Sequence, residues 1–342
     1  NAVKQAQKHW NSIAKPLYGL GKMEQLITQI AGIQNTPNVA IDKRAVIVMC
    51  ADNGIVEEGV TQTGQEVTAV VSCNMADGIS SVCKMADYAY AEVIPVNIGI
   101  AADCLPDGTD VNSYPGLLNR RIMAGTKNFL KEPAMSEEQL TQAVYTGMNV
   151  VKSCKEQGYQ LLATGEMGIG NTTTSTALAC ILLDLNPQEV TGRGAGLDNA
   201  GLKRKTEVIA EAQRLYTKYK KNPLCLLQQI GGLVGVFLGG AVYRIPVIVD
   251  GVISAVAALI AVSVFPAARD FIIASHQGKE PAMKALLKAL EKEAVLFAEL
   301  ALGEGTGAVM LFPLLDMAMR VYRENTTFED IQIEAYEDYK KC

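Results

Sequence analysis

The chain has 342 residues, 49% hydrophobic and 20% charged, enough for a sizeable core in one large domain or two smaller ones. Its formal charge is −5 and no Lys/Arg-rich block interrupts it, which excludes the concentrated basic face that nucleic-acid binding needs. The most apolar region, residues 231–266, is cut by Arg244, Pro246 and Asp250 into pieces shorter than the ~20 residues of a membrane helix, so no membrane partner is expected.

In chain order, residues 1–34 read as two helices around "AKPLYGLGKME", and the opening "NAVKQAQKHW" has no signal-peptide pattern. Five runs then read as strands: "RAVIVMCA" (44–51), "AEVIPVNIG" (91–99), "YQLLATG" (159–165), "RIPVIVDG" (244–251) and "RDFIIASH" (269–276). They are mostly continuous apolar runs without alternation, the mark of strands buried on both faces. Helical patterns separate them, as in residues 135–158 and 251–265. Strand, helix and strand in series predict a doubly wound α/β fold with a mostly parallel sheet and right-handed crossovers. From Pro281 onward the pattern is only helical, with one helix through "KEAVLFAELAL" and another from "AVMLFPLLDMAM". The expected organisation is a large α/β domain over 35–280 and a small helical domain built from 1–34 and 281–342. Eight cysteines, none in a CxxC pair, read as free thiols of a reduced cytoplasm, and with only two histidines no metal site is expected.

Polar, glycine-rich segments directly follow the strand runs: "CADNG", "GEMGIGNTTT", "VDGVIS" and "ASHQGKE". In an open parallel sheet these points share the carboxyl edge, where ligands bind, so four separate segments converge on one crevice. In "GEMGIGNTTTSTALA" (165–179), Asn171 and Thr172 to Thr174 can cap a helix whose free N–H groups suit a phosphate. A plain capped helix start explains the segment as well, but gives no reason for Glu166 just after an apolar strand. The loop "TGRGAGLDNAGLKRK" (191–205) brings Arg193, Lys203, Arg204 and Lys205, either as counter-charges for a phosphate or as a solvated turn. Asp52 and Asp250 stand at strand ends, where turn formation explains either one. Ser275 beside His276 is no basis for a nucleophilic triad, and the GxSxG elbow is absent. Glu304, in "ALGEGTGAVM", sits on a Gly-Glu-Gly break between apolar segments. The site would suit either a left-handed turn or a carboxylate raised by desolvation toward the pKa of a general base.

Taken together, "KPLYGLGKMEQL" (15–26), "VMCADNGIVEEGVTQTGQEVT" (48–68), "GEMGIGNTTTSTAL" (165–178), "GRGAGLD" (192–198), "PVIVDGVISAVAAL" (246–259), "ASHQGKEP" (274–281) and "LGEGTGA" (302–308) resemble the nicotinate-nucleotide:dimethylbenzimidazole phosphoribosyltransferase family of cobamide biosynthesis. The resemblance runs almost end to end. It implies a Rossmann-like sheet beside a helical domain from both termini. It also implies transfer of 5-phosphoribosyl from nicotinate mononucleotide to an aromatic lower-ligand base, giving an α-riboside phosphate and nicotinate. The base would be dimethylbenzimidazole, another azole or purine, or a phenolic. No cofactor and no metal are implied. Members act as dimers, here a homodimer or a heterodimer with a homologous subunit. A contrasting possibility is a non-catalytic subunit that completes the site of such a heterodimer.

Matched residue by residue, the family's general base falls on Glu304 and its supporting carboxylate on Glu166. The phosphate and ribose cradle falls on Gly168, Gly170, Asn171, Thr172, Gly192, Arg193, Gly194 and Lys205, with Gly303 and Gly305 flanking the base. Thr63, Asp52 and Val71 would line the pocket for the aromatic acceptor. Departures from the family pattern are Asn53 for a usual His, Ala301 for a frequent Arg, and a segment at 231–240 about one helical turn short.

Overall fold

A computed structural model of the chain describes residues 1–220 and 230–337. Six strands form one all-parallel sheet: β1 Arg44–Ala51, β2 Ala91–Gly99, β3 Leu118–Asn119, β4 Leu161–Met167, β5 Val247–Val249 and β6 Ile272–Ala274. Their order is β3-β2-β1-β4-β5-β6. Successive strands thus step outward in one direction from β1 to β3, and the direction reverses between β1 and β4. In a doubly wound sheet a crevice opens at that reversal, beyond the carboxyl ends of the two strands.

The helices are α1 Ala2–Ser12, α2 Lys22–Gln34, α3 Glu66–Ala76, α4 Ser81–Tyr88 and α5 Glu137–Glu156, followed by α6 Asn171–Leu183, α7 Pro187–Val190 and α8 Asn199–Tyr216. From residue 230 onward come α9 Gly231–Tyr243, α10 Val252–Val264, α11 Met283–Ala289, α12 Thr306–Val309 and α13 Phe312–Glu324. β1 shows why the sheet needs cover on both sides. Ala45, Ile47 and Met49 enter the apolar cluster under α5, α9 and α10, whereas Val46, Val48 and Cys50 enter a second cluster. That second cluster also holds Trp10 of α1, Ile27 and Ile30 of α2, and Phe312 and Leu315 of α13. Both ends of the chain therefore cover one face of the sheet. Ile13 and Thr327 form a bridge between the terminal segments, and Arg44 at the start of β1 pairs bidentately with Asp316 of α13 at 2.6 and 2.7 Å.

α5 begins with a capping box, Ser136 accepting from the Gln139 amide while the Gln139 side chain accepts from Ser136 N–H. α9 lies directly on α5 through glycines: a β-carbon on Gly235 would stand 2.1 Å from the Val144 carbonyl oxygen. The nine residues before α9's lead-in, 221–229, lie outside the described part, so the comparison of segment length at 231–240 rests on sequence alone.

Two strands are shorter than expected. β5 spans three residues where eight were expected, with Pro246, which has no N–H to give a ladder, just before it. β6 also spans three, because residues 266–271 wind into a 3-10 turn. β3, two residues long, carries no sequence signal of its own. The larger correction concerns residues 290–301, expected as helix. Only Met283–Ala289 is helical. The chain then runs alongside residues 275–279, with Val295 and Leu296 N–H on the Ser275 carbonyl, Gln277 N–H on Leu296 and Lys279 N–H on Leu300. These long-range bonds override the helix preference of "KEAVLFAELAL". Cys50, Cys73, Cys83, Cys154 and Cys180 are buried free thiols and Cys104 is an exposed one, while Cys225 and Cys342 lie outside the described residues. Among the described residues no helix is long and apolar enough to cross a membrane.

Candidate active site

A cavity of about 260 Å³ opens beyond the carboxyl ends of β4, β5 and β6. Glu166 closes β4, Asp250 follows β5 and His276 follows β6, and all three line it. Facing them is the loop of Glu304. Its backbone is unusual: Gly303, Glu304 and Gly305 have φ of 87°, 61° and 94°, three consecutive left-handed residues. For Glu304, which carries a β-carbon, this conformation costs roughly 1–2 kcal/mol. The surroundings hold it there. Asp250 accepts from Gly305 N–H at 3.3 Å and Ala308 N–H at 3.0 Å. Gly165 lets the loop lie directly on β4, since a β-carbon there would meet the Glu304 carbonyl oxygen at 2.4 Å. Gly165→Ala is accordingly expected to push Glu304 out of register. We expect kcat to fall by about 10²-fold, as for misplacements of about 1 Å. The overpacking should cost about 1–3 kcal/mol of stability. Steady-state kinetics and thermal melting check the two effects.

Three of the carboxyls that line the cavity, Glu166, Asp250 and Glu304, lie within electrostatic reach of one another. Burial pushes the Glu166 carboxyl up to about 8, with Asp250 and Glu304 adding to the rise. At neutral pH and without ligand, Glu166 is mostly a neutral acid, hydrogen-bonded to the Asn171 amide. Any role for it as an anion would therefore require a positive charge to arrive. Glu304 is half-buried, and desolvation raises its carboxyl despite a 3.4 Å hydrogen bond from Val82 N–H. Desolvation also raises Asp250, countered by the His276 ring and backbone N–H groups. Burial lowers His276 and Asp250 opposes that. Ser275 gives its single hydroxyl proton to the Val249 carbonyl at 2.6 Å, so its 2.9 Å contact with His276 Nδ1 makes Nδ1–H the donor. Ser275 is thereby fully engaged in orienting the ring.

The opposite end of the cavity suits an anion. Lys205 is 1% exposed, and its Nζ donates to Thr172 Oγ1 at 2.9 Å. Nζ ends beside Gly194, 3.3 Å from where a β-carbon there would sit. Burial lowers its pKa, and Glu280 opposes the fall. The threonines do not cap α6 as expected. Gly170 occupies the capping position without a side-chain bond, Thr172 is held by Lys205 and Thr174 donates to Asn53 Oδ1. Asn171 N–H donates to the Gly168 carbonyl and Thr173 and Thr174 N–H to that of Gly170, so what α6 offers an anion is chiefly the positive end of its dipole.

Of the residues singled out by sequence, Glu166, Gly168, Gly170, Asn171 and Thr172 line the cavity from one side. Thr63, Arg193, Gly194, Lys205, Gly303 and Glu304 line it from the others. Arg193 is spent on its own loop, donating to the Leu197 carbonyl and Asn199 Oδ1. Arg204 is bound to Glu58, and Lys203 is exposed. Gly192 and Gly305, expected at the phosphate and beside the base, do not line the cavity. Asp52 is not in this cavity. It lines a smaller apolar one of about 80 Å³ that shares Glu166, Met167 and Asn171 with it. Val71 lines neither: it is half-buried against the core around Cys73. Sequence reasoning explained Asp250 as a turn residue, set His276 aside as half of a nucleophile pair and gave Glu280 no role. Their one signal was position, each within a few residues of a strand end.

An open parallel sheet with its crevice at the strand-order reversal, an anion cradle at one end and clustered carboxyls at the other defines an α/β enzyme for an anionic, nucleotide-like small molecule. The family model described as "Phosphoribosyltransferase" matches residues 1–333. A nicotinate-nucleotide–dimethylbenzimidazole phosphoribosyltransferase of Ruminiclostridium cellulolyticum is 39% identical over 339 residues, 98% of this chain and 94% of that protein. Its counterpart in Acetivibrio thermocellus is 40% identical over 336 residues, 97% and 93% of the two chains. The crystal structure of CobT from Thermus thermophilus superposes with a TM-score of 0.89 at 33% identity, covering 97% of this chain and 99% of that one. The chain belongs to the nicotinate-nucleotide–dimethylbenzimidazole phosphoribosyltransferase family and is a pentosyltransferase.

Proposed function

We propose that the enzyme moves the 5-phosphoribosyl group of nicotinate mononucleotide to an aromatic nitrogen base of the dimethylbenzimidazole type, the reaction for which its relatives are named. The observation that carries this reading is one cavity holding both an anion cradle at Lys205 and the α6 N-terminus, and a raised, half-buried carboxyl at Glu304. The phosphate binds at the cradle. The nicotinate ring, a pyridinium cation while attached to ribose, lies in the field of the carboxyl cluster and draws Glu166 into its ionised form. As the base's ring nitrogen forms its bond to the anomeric carbon, the bond to the nicotinate nitrogen breaks. Its electron pair neutralises the pyridinium. Glu304 accepts the proton the base loses, and Glu166 faces the positive charge that develops on the ribosyl centre.

Ionisable side chains at both ends of the site favour a catalytic subunit over a silent partner. Product analysis with nicotinate mononucleotide and dimethylbenzimidazole, adenine, phenol or p-cresol, using this chain alone, tests the reading. Riboside phosphate with the azole, appearing with equimolar nicotinate, is expected. Product only with phenolics would reassign the acceptor, and no product with any of them would favour the partner-subunit role.

A further inference from the structure

The carboxylate of Glu280 has no part in the scheme above, yet it lines the same cavity. Its Oε2 is shut off from solvent and accepts no hydrogen bond among the described residues. It presses onto the backbone of the 192–194 loop: a β-carbon on Gly192 would lie 1.9 Å from Oε2 and 2.6 Å from Oε1. It is also near enough to Lys205 to oppose that lysine's burial. Oε1 is not closed off in this way and Glu280 as a whole is only part-buried, so a ligand in the cavity that donates to Oε1 offsets part of the cost, about 1–3 kcal/mol, of an under-paired carboxylate. It cannot be the phosphate, which Glu280 repels and which offers no hydrogen when fully ionised. The nicotinate ring offers none either, since its carboxylate and ring nitrogen carry no N–H or O–H at neutral pH. The only donors on a nicotinate mononucleotide are the two ribose hydroxyls.

We infer that Glu280 binds the vicinal hydroxyls of the sugar and makes the enzyme selective for a ribosyl over a deoxyribosyl donor. The inference rests on the function proposed above. Gly192 then serves to bring the carboxylate against the loop, with Lys205 holding the phosphate beside it.

The test compares kcat/KM for nicotinate mononucleotide and its 2′-deoxy and 3′-deoxy forms. Hydrogen bonds to a charged group contribute ~1.5–3 kcal/mol, so the wild-type enzyme is expected to prefer the ribonucleotide over at least one deoxy form by about 10–100-fold. Glu280→Ala should slow the ribonucleotide by a similar factor, bring the preference to near unity and leave the deoxy substrate almost unaffected. Glu280→Gln, which keeps a carbonyl acceptor and the side-chain shape, should retain part of the preference and is read if the alanine variant does not fold. An unchanged preference in both variants overturns the inference. So does an equal loss for ribo and deoxy substrates, which would make Glu280 a support for Lys205 only. If the wild-type enzyme transfers from no nucleotide, the proposed function falls first. Calorimetric affinities for ribose 5-phosphate and 2-deoxyribose 5-phosphate then decide the sugar contact separately, equal affinities overturning it.

Discussion

Glu304→Gln is expected to lower kcat by about 10²–10⁴-fold, the usual worth of a positioned general base, while leaving the affinity for nicotinate mononucleotide within a few-fold of wild type. Glutamine fills the same volume and takes the same left-handed backbone, so the Gly303–Gly305 turn and its anchors on Asp250 persist. Only the capacity to accept a proton is lost. In the proposed reading the nucleotide's phosphate lies at the other end of the cavity, where Lys205 meets Thr172 at the α6 N-terminus. The pH profile gives a second readout. Desolvation raises the Glu304 carboxyl, and the base acts only when ionised, so the acid limb of kcat/KM should lie above the range of an ordinary glutamate and flatten in the variant. Wild-type turnover in Glu304→Gln would remove Glu304 from the chemistry. A loss of nucleotide affinity equal to the loss of kcat would make it a binding residue.

The parts legible in the sequence share one property: their local pattern and their tertiary role agree. β1 and β2 fall where continuous apolar runs put them, because strands buried on both faces need no alternation. Glu166 stood out because an acid directly after such a run has no use in a core. Where local and tertiary demands part, the sequence misleads. Residues 290–301 carry helix formers but spend their backbone groups on residues 275–279. Thr172 and Thr174 have the chemistry of caps, but Lys205 and Asn53 claim their hydroxyls from distant segments. Asp250 illustrates the limit from the other side. A strand-end aspartate before glycine is explained by a turn, and nothing local reveals that it restrains a loop more than fifty residues away through Gly305 and Ala308.

Glu166→Gln should yield a protein that is more stable and much less active, a trade that a catalytic carboxyl in a desolvated site produces. The folded pKa of Glu166, about 8, lies above the ordinary value of 4.5 that it regains on unfolding. The folded state therefore binds this proton more tightly. Stability attached to the group is present at low pH and lost as pH rises from about 4.5 through about 8. At 1.36 kcal/mol per unit the cost above that window is on the order of 5 kcal/mol. Glutamine keeps the contact with Asn171 and carries no ionisation cost. Its Tm should exceed that of wild type at pH 8 and approach it at pH 5. Activity should move the opposite way: without the anion facing the ribosyl cation, kcat is expected to drop by about 10²-fold. Calorimetry links the two effects. When the pyridinium of nicotinate mononucleotide binds wild-type enzyme at pH 7, Glu166 should release a proton. That release appears as a dependence of the binding enthalpy on the buffer's ionisation enthalpy, and it should vanish in Glu166→Gln. Equal proton release in both proteins would place the cation out of reach of Glu166 and assign the stabilising charge to Asp250 or Glu304.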